Sequence, residues 1–263
     1  MLFLYDLQNW LLGVTIVGFI VSASYAGYFL FHRLFPAQFS DDHKGLAMSV
    51  LGVVATVNSL LLAFSAVSVW DAYQDADAAV MEEANTVGAL ARDLAVFGTP
   101  NAAEARAALR QYAEVVVSDE WPSMQRGQAS QKAWDQFDDL FRTVATLETG
   151  TTRQETWMQE IFLRTNELLK QRRTRLYSAQ SEVPGTLWVV VLIGTTLCML
   201  TTYVLPPTRF HAAMIGALAL SIGLVFYFIA AMDRPFAGKE SISPAPFQSA
   251  LENMERWDAN SGD

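Results

Sequence analysis

Four long stretches of the sequence contain no Asp, Glu, Lys or Arg, and they constrain the fold more than any other feature. They cover residues 7–32, 45–70, 183–208 and 210–232, and each is 23 to 26 residues long. About 20 apolar residues are enough for a helix to cross the hydrocarbon core of a bilayer. The sequence therefore predicts an all-α protein with four transmembrane helices at these positions.

The first stretch is interpreted as a retained span rather than a cleaved signal peptide. Ser24, Tyr25 and Ala26 loosely resemble a cleavage site. A signal peptide normally begins with a basic region, but the residues ahead of this stretch include Asp6 and no Lys or Arg. We therefore expect residues 7–32 to form the first transmembrane helix.

Charged residues concentrate in residues 71–182, between the second and third spans. This segment of 112 residues holds 18 of the 27 acidic and 12 of the 18 basic side chains. Its apolar residues follow helical spacing without strand-like alternation, so we expect a helical soluble domain inserted between the spans. Residues 233–263 contain Pro244, Pro246 and few apolar residues, and an extended C-terminal arm is expected there.

The distribution of Lys and Arg near the spans predicts the orientation of the chain. With four spans, the soluble domain and both termini lie on one side of the membrane. Cytoplasmic flanks are enriched in Lys and Arg, and five such residues against three favour a cytoplasmic soluble domain in the cell (inner) membrane. The five are Arg172, Arg173, Arg175, Arg234 and Lys239, and the three are Arg33, Lys44 and Arg209.

Apolar and small residues at intervals of three and four form one seam from Gly52 to Leu94. This spacing keeps one face of a helix apolar. The second span is therefore predicted to continue into the soluble domain as one helix of roughly 45 residues. Gly98 and Pro100 are expected to end it.

Glu83 interrupts this seam between Val80 and Val87, where an apolar residue is expected. An unpaired carboxylate is costly to bury, so Glu83 must meet a base, a backbone donor or water. Two buried roles stay open, a structural ion pair within the bundle and a position that lines a conduit or controls a gate. A shifted register that leaves Glu83 exposed is the third alternative.

Asn58 lies in the middle of the second span, beside Thr56 and Ser59. Polar side chains at that depth face other helices or water rather than lipid. Asn58 is therefore predicted either to form an interhelical hydrogen bond or to line a pore. Gly52 and Thr56 are small residues four apart, which permits close helix contact and favours a central place for this span in an assembly.

Three arginines, Arg172, Arg173 and Arg175, precede the third span. Contact with anionic lipid headgroups is one prediction for them. Attraction of anions toward the mouth of a pore is the other. The surrounding segment carries a net negative charge, which does not support attraction of anions.

The sequence carries no pattern typical of an enzyme. His32, His43 and His211 are scattered near span ends without metal-ligand spacing, and Cys198 is the sole cysteine. No phosphate-binding glycine loop or nucleophile motif is present. A pI of 4.8 also argues against nucleic-acid binding. We expect no enzymatic activity, no cofactor, no metal site and no nucleic-acid partner.

Three stretches of the sequence together resemble the bestrophin-like family of four-span bacterial membrane proteins. They are LLAFSAVSVWDAYQDADAAVMEEANTVGAL (61–90), SDEW (118–121) and MDRPFAG (232–238). The resemblance covers nearly the whole chain from about residue 45. The residues that carry it are Trp70, Tyr73, Glu83, Ala84, Asn85, Glu120, Trp121, Asp233, Pro235, Phe236 and Gly238.

The looser resemblance to the bestrophin anion channels implies a function. Those proteins are pentamers whose second span lines the pore, so the resemblance implies a homo-oligomer that conducts inorganic anions across the bilayer. The acidic cluster that binds calcium in animal bestrophins is missing here, so calcium gating is not implied. By the same analogy Val53, Val57 and Leu61 are candidates for the apolar neck of the pore. Asn58 and Glu83 are the further pore-lining candidates, on the strength of their polar positions in the helix.

A second function stays open beside the channel. The protein is alternatively a non-conducting, membrane-anchored scaffold or sensory module that binds another protein. That alternative predicts an exposed apolar patch on the soluble helices, with Trp134 and Trp157 as the first candidates. In either case Pro235 fixes the backbone after the fourth span, and Phe236 is expected to dock on the soluble helices.

Overall fold

The computed structural model describes residues 9–35, 39–238 and 240–260, and all regular secondary structure in these ranges is helical. In chain order the elements are α1 (Asn9–Leu34), α2 (Asp41–Phe97), α3 (Pro100–Val115), a π-helical turn (Val116–Glu120), α4 (Trp121–Met124), α5 (Gln131–Ala145), α6 (Thr152–Gln180), α7 (Gly185–Thr202), α8 (Arg209–Met232) and α9 (Ala245–Asn260).

Four helical stretches of the described chain are long and apolar enough to cross a membrane. They contain α1, α2, α7 and α8, so the predicted all-α fold with four transmembrane helices is confirmed. Residues 7 and 8, at the expected start of the first span, lie outside the described residues. α7 ends at Thr202 instead of continuing to Thr208, because Pro206 and Pro207 cannot extend a helix.

The C-terminal segment corrects one expectation. An extended arm was expected over 233–263, but residues Ala245–Asn260 form α9. Pro246 is compatible with this helix because it lies in the first turn, where its missing N–H has no helical partner to lose. Apolar residues at intervals of three and four bury one face of α9, namely Phe247, Ala250 and Met254.

The chain divides into two compact units. Unit 1 contains α1, the first part of α2, α7 and α8, and it comprises Met1–Asp71, Glu182–Arg234 and Gly238–Glu240. Unit 2 contains the rest of α2, α3 to α6 and α9, and it comprises Ala72–Ser181, Pro235–Ala237 and Ser241–Asp263.

Close packing of α1 on α8 organises unit 1. A Cβ atom at Gly223 would lie 3.2 Å from the Cα of Val17, so glycine favours this close approach. The Tyr28 hydroxyl donates to the carbonyl of Pro206 at 2.8 Å, and Nε2 of His32 lies 2.8 Å from the carbonyl of Leu205. These bonds fix the turn between α7 and α8 against α1.

Unit 2 encloses an apolar core to which α2, α3, α5, α6 and α9 all contribute. The part of α2 in this unit supplies the seam predicted from the sequence, and Val80, Val87 and Leu90 are fully buried. α2 ends at Phe97, directly before Gly98, whose φ of 71° lies in the left-handed region that glycine adopts without strain. The core is therefore built around one continuous helix.

The π-helical turn Val116–Glu120 carries Glu120 into this core. Both end residues of the turn are buried. Pro122 follows it, and a proline at this position has no N–H to donate to the carbonyl of Ser118 and clashes with it in a regular α-helix. π-helical turns are rare and occur frequently at functional sites.

Candidate functional site

Two carboxylates and two guanidinium groups form a completely buried cluster in unit 2, which we call the ion network. Its members are Glu83 of α2, Glu120 of the π-helical turn, and Arg172 and Arg175 of α6. Each is 0% exposed. The two positive and two negative charges balance, which is the condition under which a protein interior accepts ionised groups.

Arg175 joins the two carboxylates. Its Nε lies 2.6 Å from Oε2 of Glu83, and its Nη2 lies 3.1 Å from Oε1 of Glu83 and 2.6 Å from Oε2 of Glu120. Arg172 completes the network from the other side, with its Nη2 2.6 Å from Oε1 of Glu120. The rigid fork of a guanidinium group suits such multiple contacts.

Aromatic and sulfur groups surround the two arginines. The guanidinium carbon of Arg172 lies 4.0 Å from the ring centroid of Trp134, and that of Arg175 lies 5.5 Å from the ring centroid of Trp121. Both distances fall within the range of cation–π attraction. Nη1 of Arg175 lies 2.9 Å from the sulfur of Met124.

Tyr112 adds a neutral donor to the ion network. Its hydroxyl donates to Oε1 of Glu83 at 2.5 Å. Burial, reinforced by the negative charge of Glu83, raises the pKa of Tyr112 well above its usual value. The phenol therefore keeps its proton and stays a donor.

The electrostatics of the ion network favour its charged form. Burial works against ionisation of Glu120, but Arg175 and Arg172 outweigh it and hold the pKa of that carboxyl below its usual range. Burial likewise opposes the charge of Arg175, but Glu83 and Glu120 raise its pKa above the usual value. The arrangement fastens α2, the π-helical turn and α6 together.

The structure decides between the alternatives for Glu83 and corrects the prediction for two arginines. Glu83 is held in the ion network, where it forms a structural ion pair. Arg172 and Arg175 are buried with Glu83 and Glu120, so contact with lipid headgroups or pore anions is wrong for both. Arg173 lies on the exposed side of α6, and its contact with headgroups or anions stays a prediction.

The spacing along α6 contained a signal for this burial. Ile161, Thr165, Leu168, Arg172 and Arg175 recur at intervals of four and three, so the two arginines continue the apolar face of the helix. Sequence reasoning also missed Tyr112, Trp134 and Met124 as partners of the ion network. No sequence spacing relates Tyr112, Trp134 and Met124 to the ion network, because they belong to α3, α5 and α4.

The aromatic residues of two family motifs meet beside the ion network. Phe236 is 1% exposed, and the ring centroids of Phe236 and Phe247 lie 5.7 and 6.0 Å from that of Trp121. Nε1 of Trp121 donates to the carbonyl of Ile242 at 3.1 Å. The backbone N–H of Ile242 in turn donates to the carbonyl of Pro235 at 2.8 Å. Phe236 thus docks on the soluble helices.

The other motif residues take separate positions. Ala84 is buried beside Glu83, and Asn85 is exposed. Trp70 stacks on Phe228 in unit 1 with ring centroids 6.4 Å apart, whereas Tyr73 packs against the core of unit 2.

The motif after α8 also caps the start of the third span. A carboxylate oxygen of Asp233 accepts a hydrogen bond from the backbone N–H of Val183 at 2.7 Å. Arg234 forms an ion pair with Glu182. Gly238 has a φ of 81°, a conformation that favours glycine.

The pore-lining candidates do not share one face of α2. Val53 and Val57 are 67% and 55% exposed, but Leu61 is half-buried against the core of unit 1. An α-helix has 3.6 residues per turn, so repeated steps of four residues move progressively around the helix. After Val57 the exposed face therefore continues at Leu60 rather than at Leu61. Glu83 lies in the core of unit 2.

Asn58 faces α7 rather than the exposed side of α2. It is 3% exposed, and its Nδ2 donates to Oγ1 of Thr195 at 3.3 Å. A Cβ atom at Gly194 would lie 2.2 Å from Oδ1 of Asn58, so glycine makes room for the amide. Asn58 therefore forms an interhelical contact within unit 1.

The exposed face of α2 in unit 1 carries two parallel stripes, each with intervals of three and four. One, the large stripe, consists of Leu46, Val50, Val53, Val57, Leu60, Phe64 and Val67, all 44% exposed or more. The other, the small stripe, consists of the exposed residues Gly45, Ser49, Gly52, Thr56, Ser59 and Ala63.

The fold and these features define a class: a helical, four-span, multi-pass membrane protein with a second helical unit that holds a buried ion network. The described residues contain no group of three or more His, Cys, Asp or Glu placed to hold a metal ion.

The family model of the Bestrophin-like domain matches residues 18–247, and the chain belongs to the bestrophin-like family. No curated protein and no solved structure gives a significant match. The resemblance inferred from the motifs is confirmed.

Proposed function

We propose that the protein is a homo-oligomeric anion channel in which α2 of each copy lines the pore. The observation that carries this proposal is the exposed face of α2 in unit 1, with its small stripe beside its large stripe. A single copy leaves both stripes uncovered. The bestrophin anion channels, to which the family is distantly similar, place their second span around a pore.

The small stripe supports contact between α2 and neighbouring copies. Small residues on a transmembrane helix allow close approach of another helix, whereas a lipid-facing surface gains nothing from them. The hydroxyls of Ser49 and Thr56 donate to the carbonyls of Gly45 and Gly52 in their own helix, at 3.0 and 2.7 Å. Their polar groups are therefore satisfied, and the surface they present is small and apolar.

The large stripe supplies an apolar constriction in this proposal. Val53, Val57 and Leu60 from each copy form the narrow part of the pore, where loss of water controls conduction. Asn58 and Glu83 have no part in it, because their contacts lie within one copy. In this proposal the protein lies in the inner membrane and its soluble helices lie in the cytoplasm. The distribution of Lys and Arg near the spans favours this orientation.

The scaffold alternative receives less support. The two tryptophans that it relies on, Trp134 and Trp157, are partly buried against the core of unit 2. Trp134 is also engaged by Arg172 of the ion network. Both rings are therefore only partly exposed.

Chloride efflux from vesicles containing the purified protein tests the proposal. We expect efflux above that of protein-free vesicles and at least a twofold change for Val57→Ala, because the substitution widens the constriction. Val189→Ala is the matched control, since Val57 and Val189 are both 55% exposed and lie on different spans. Absence of efflux in the wild-type protein, or equal effects of both substitutions, contradicts the channel.

A further inference from the structure

A groove of about 880 Å³ lies among α2, α3 and α9 within unit 2. We call it the arginine groove, because Arg92, Arg106 and Arg256 line it. Its volume falls in the range of small-molecule binding sites. The ion network and the exposed face of α2 have no part in it, so it is independent of the proposed channel pore.

The side chains that line the arginine groove carry a charge opposite to the net charge of the chain, and two of the three arginines, Arg106 and Arg256, also pair with Asp258 and Glu252 outside the lining. The protein carries a formal net charge of −9, but the described residues that line the groove include three arginines and no Asp or Glu. Guanidinium groups bind phosphate and carboxylate with paired hydrogen bonds. The lining therefore favours an anion.

Two of the arginines are held in place by the protein. The guanidinium carbon of Arg92, an exposed residue, lies 5.6 Å from the ring centroid of Trp257. Arg106 forms an ion pair with Asp258 and donates to the carbonyl of Met254 at 3.4 Å. Its Nε is buried and has no hydrogen-bond acceptor among the described residues.

The remaining lining suits an organic group rather than a bare ion. Gly88 of α2 forms part of the floor, and a Cβ atom there would meet nothing within 4 Å. Met81 and Trp257 supply apolar surface, and the exposed amide of Asn85 supplies hydrogen-bonding groups. A few polar groups among apolar walls are typical of ligand sites.

We propose that the arginine groove binds a small organic anion, with its phosphate or carboxylate on the arginines and its apolar or ring portion against Trp257. This assigns a role to Asn85, the exposed residue of the Glu83-Ala84-Asn85 motif, as a ligand contact. The binding site belongs to each chain, so one molecule binds per copy.

Equilibrium dialysis with the full-length protein in detergent tests this proposal. The probes are 4-methylumbelliferyl phosphate, 7-hydroxycoumarin-4-acetic acid and the uncharged 7-methoxy-4-methylcoumarin. Blanks with detergent alone correct for partitioning of the probes into micelles. We expect saturable binding of one or both anions at one per chain and none of the uncharged coumarin. The relative affinity of the two anions identifies phosphate or carboxylate as the preferred group.

Variants locate the bound anion. Arg92→Gln and Arg256→Gln change exposed side chains. Each is expected to raise the Kd for the anion at least tenfold without changing the circular dichroism spectrum. Arg142→Gln is the matched control, because Arg142 is an exposed arginine of α5, away from the groove. The proposal is overturned if neither anion binds up to millimolar concentration, if the uncharged coumarin binds equally, or if the control weakens binding as much.

Discussion

Arg175 joins both buried carboxylates of unit 2. Its guanidinium contacts both carboxylates of the ion network, and the rings of Trp121 and Phe247 lie 5.5 and 5.6 Å from it. The four buried charges are compensated only within this group. Removal of one member therefore leaves a charge that neither water nor another side chain can neutralise.

At this scale we predict that Arg175→Leu destabilises unit 2 strongly. Glu83 keeps the hydroxyl of Tyr112 as a donor but loses its cation, and breaking a buried ion pair in this way costs about 3–5 kcal/mol. Thermal unfolding followed by circular dichroism in detergent measures the loss. Arg173→Leu is the control, because Arg173 lies two residues away on the exposed side of α6. Equal melting temperatures for the two variants would mean that the ion network contributes nothing to stability.

At the scale of helices, the sequence predicts most of the positions but not the pairings. The apolar seam of α2 predicts a continuous helix and singles out Glu83, because periodic spacing within one helix is a local property. The partners of Glu83 are 29 to 92 residues away in the chain. A single sequence contains no information on which distant helix faces meet, so the ion network follows only from the fold.

Two further differences concern longer segments, and each has its own cause. α9 has three apolar residues on one face, a weak signal that the two prolines and the polar composition of 233–263 outweighed. The face of α2 that contacts α7 is determined by Gly194 and Thr195. No sequence pattern relates these residues to Asn58, because they lie on a different helix. For this reason Leu61 could not be separated from Val53 and Val57 on sequence grounds.

Docking of the segment after α8 is the prediction at the scale of elements. Phe236→Ala removes a ring that is 1% exposed, and truncation of a buried phenylalanine costs about 3–5 kcal/mol. Because the ring contacts Trp121, which also holds Ile242 and Phe247, we expect amide hydrogen exchange in α9 to become at least tenfold faster. Phe141→Ala is the control, since Phe141 of α5 is 39% exposed. Unchanged exchange in α9 would show that Phe236 does not hold this segment.

For the whole molecule, the prediction concerns assembly. A Cβ atom at Gly52 would meet nothing within 4 Å in the single chain, and the residue is exposed, so we expect one copy to tolerate Gly52→Leu. In an assembly held by the small stripe, the added side chain blocks the approach of the neighbouring α2. We therefore expect the wild-type protein to be a pentamer in detergent, by analogy with the bestrophins, and Gly52→Leu to shift it to smaller species.

Native mass, corrected for bound lipid and detergent, measures this shift. Gly18→Leu is the control, because a Cβ atom at Gly18 of α1 also meets nothing within 4 Å and the residue is likewise exposed. A monomeric wild-type protein, or equal dissociation by both variants, would rule out contact through the small stripe.

The burial of Phe236 and Phe247 in the core of unit 2 has a consequence for biosynthesis. The ribosome makes Arg175 before it makes α7, α8 and these two rings, and Phe247 is the 72nd residue after Arg175. At about 5–20 residues per second this interval lasts on the order of 4–14 s. Until Phe236 is made, the nascent chain presents Trp121 without either of these aromatic neighbours, so unit 2 reaches its final packing only after the fourth span has been translated.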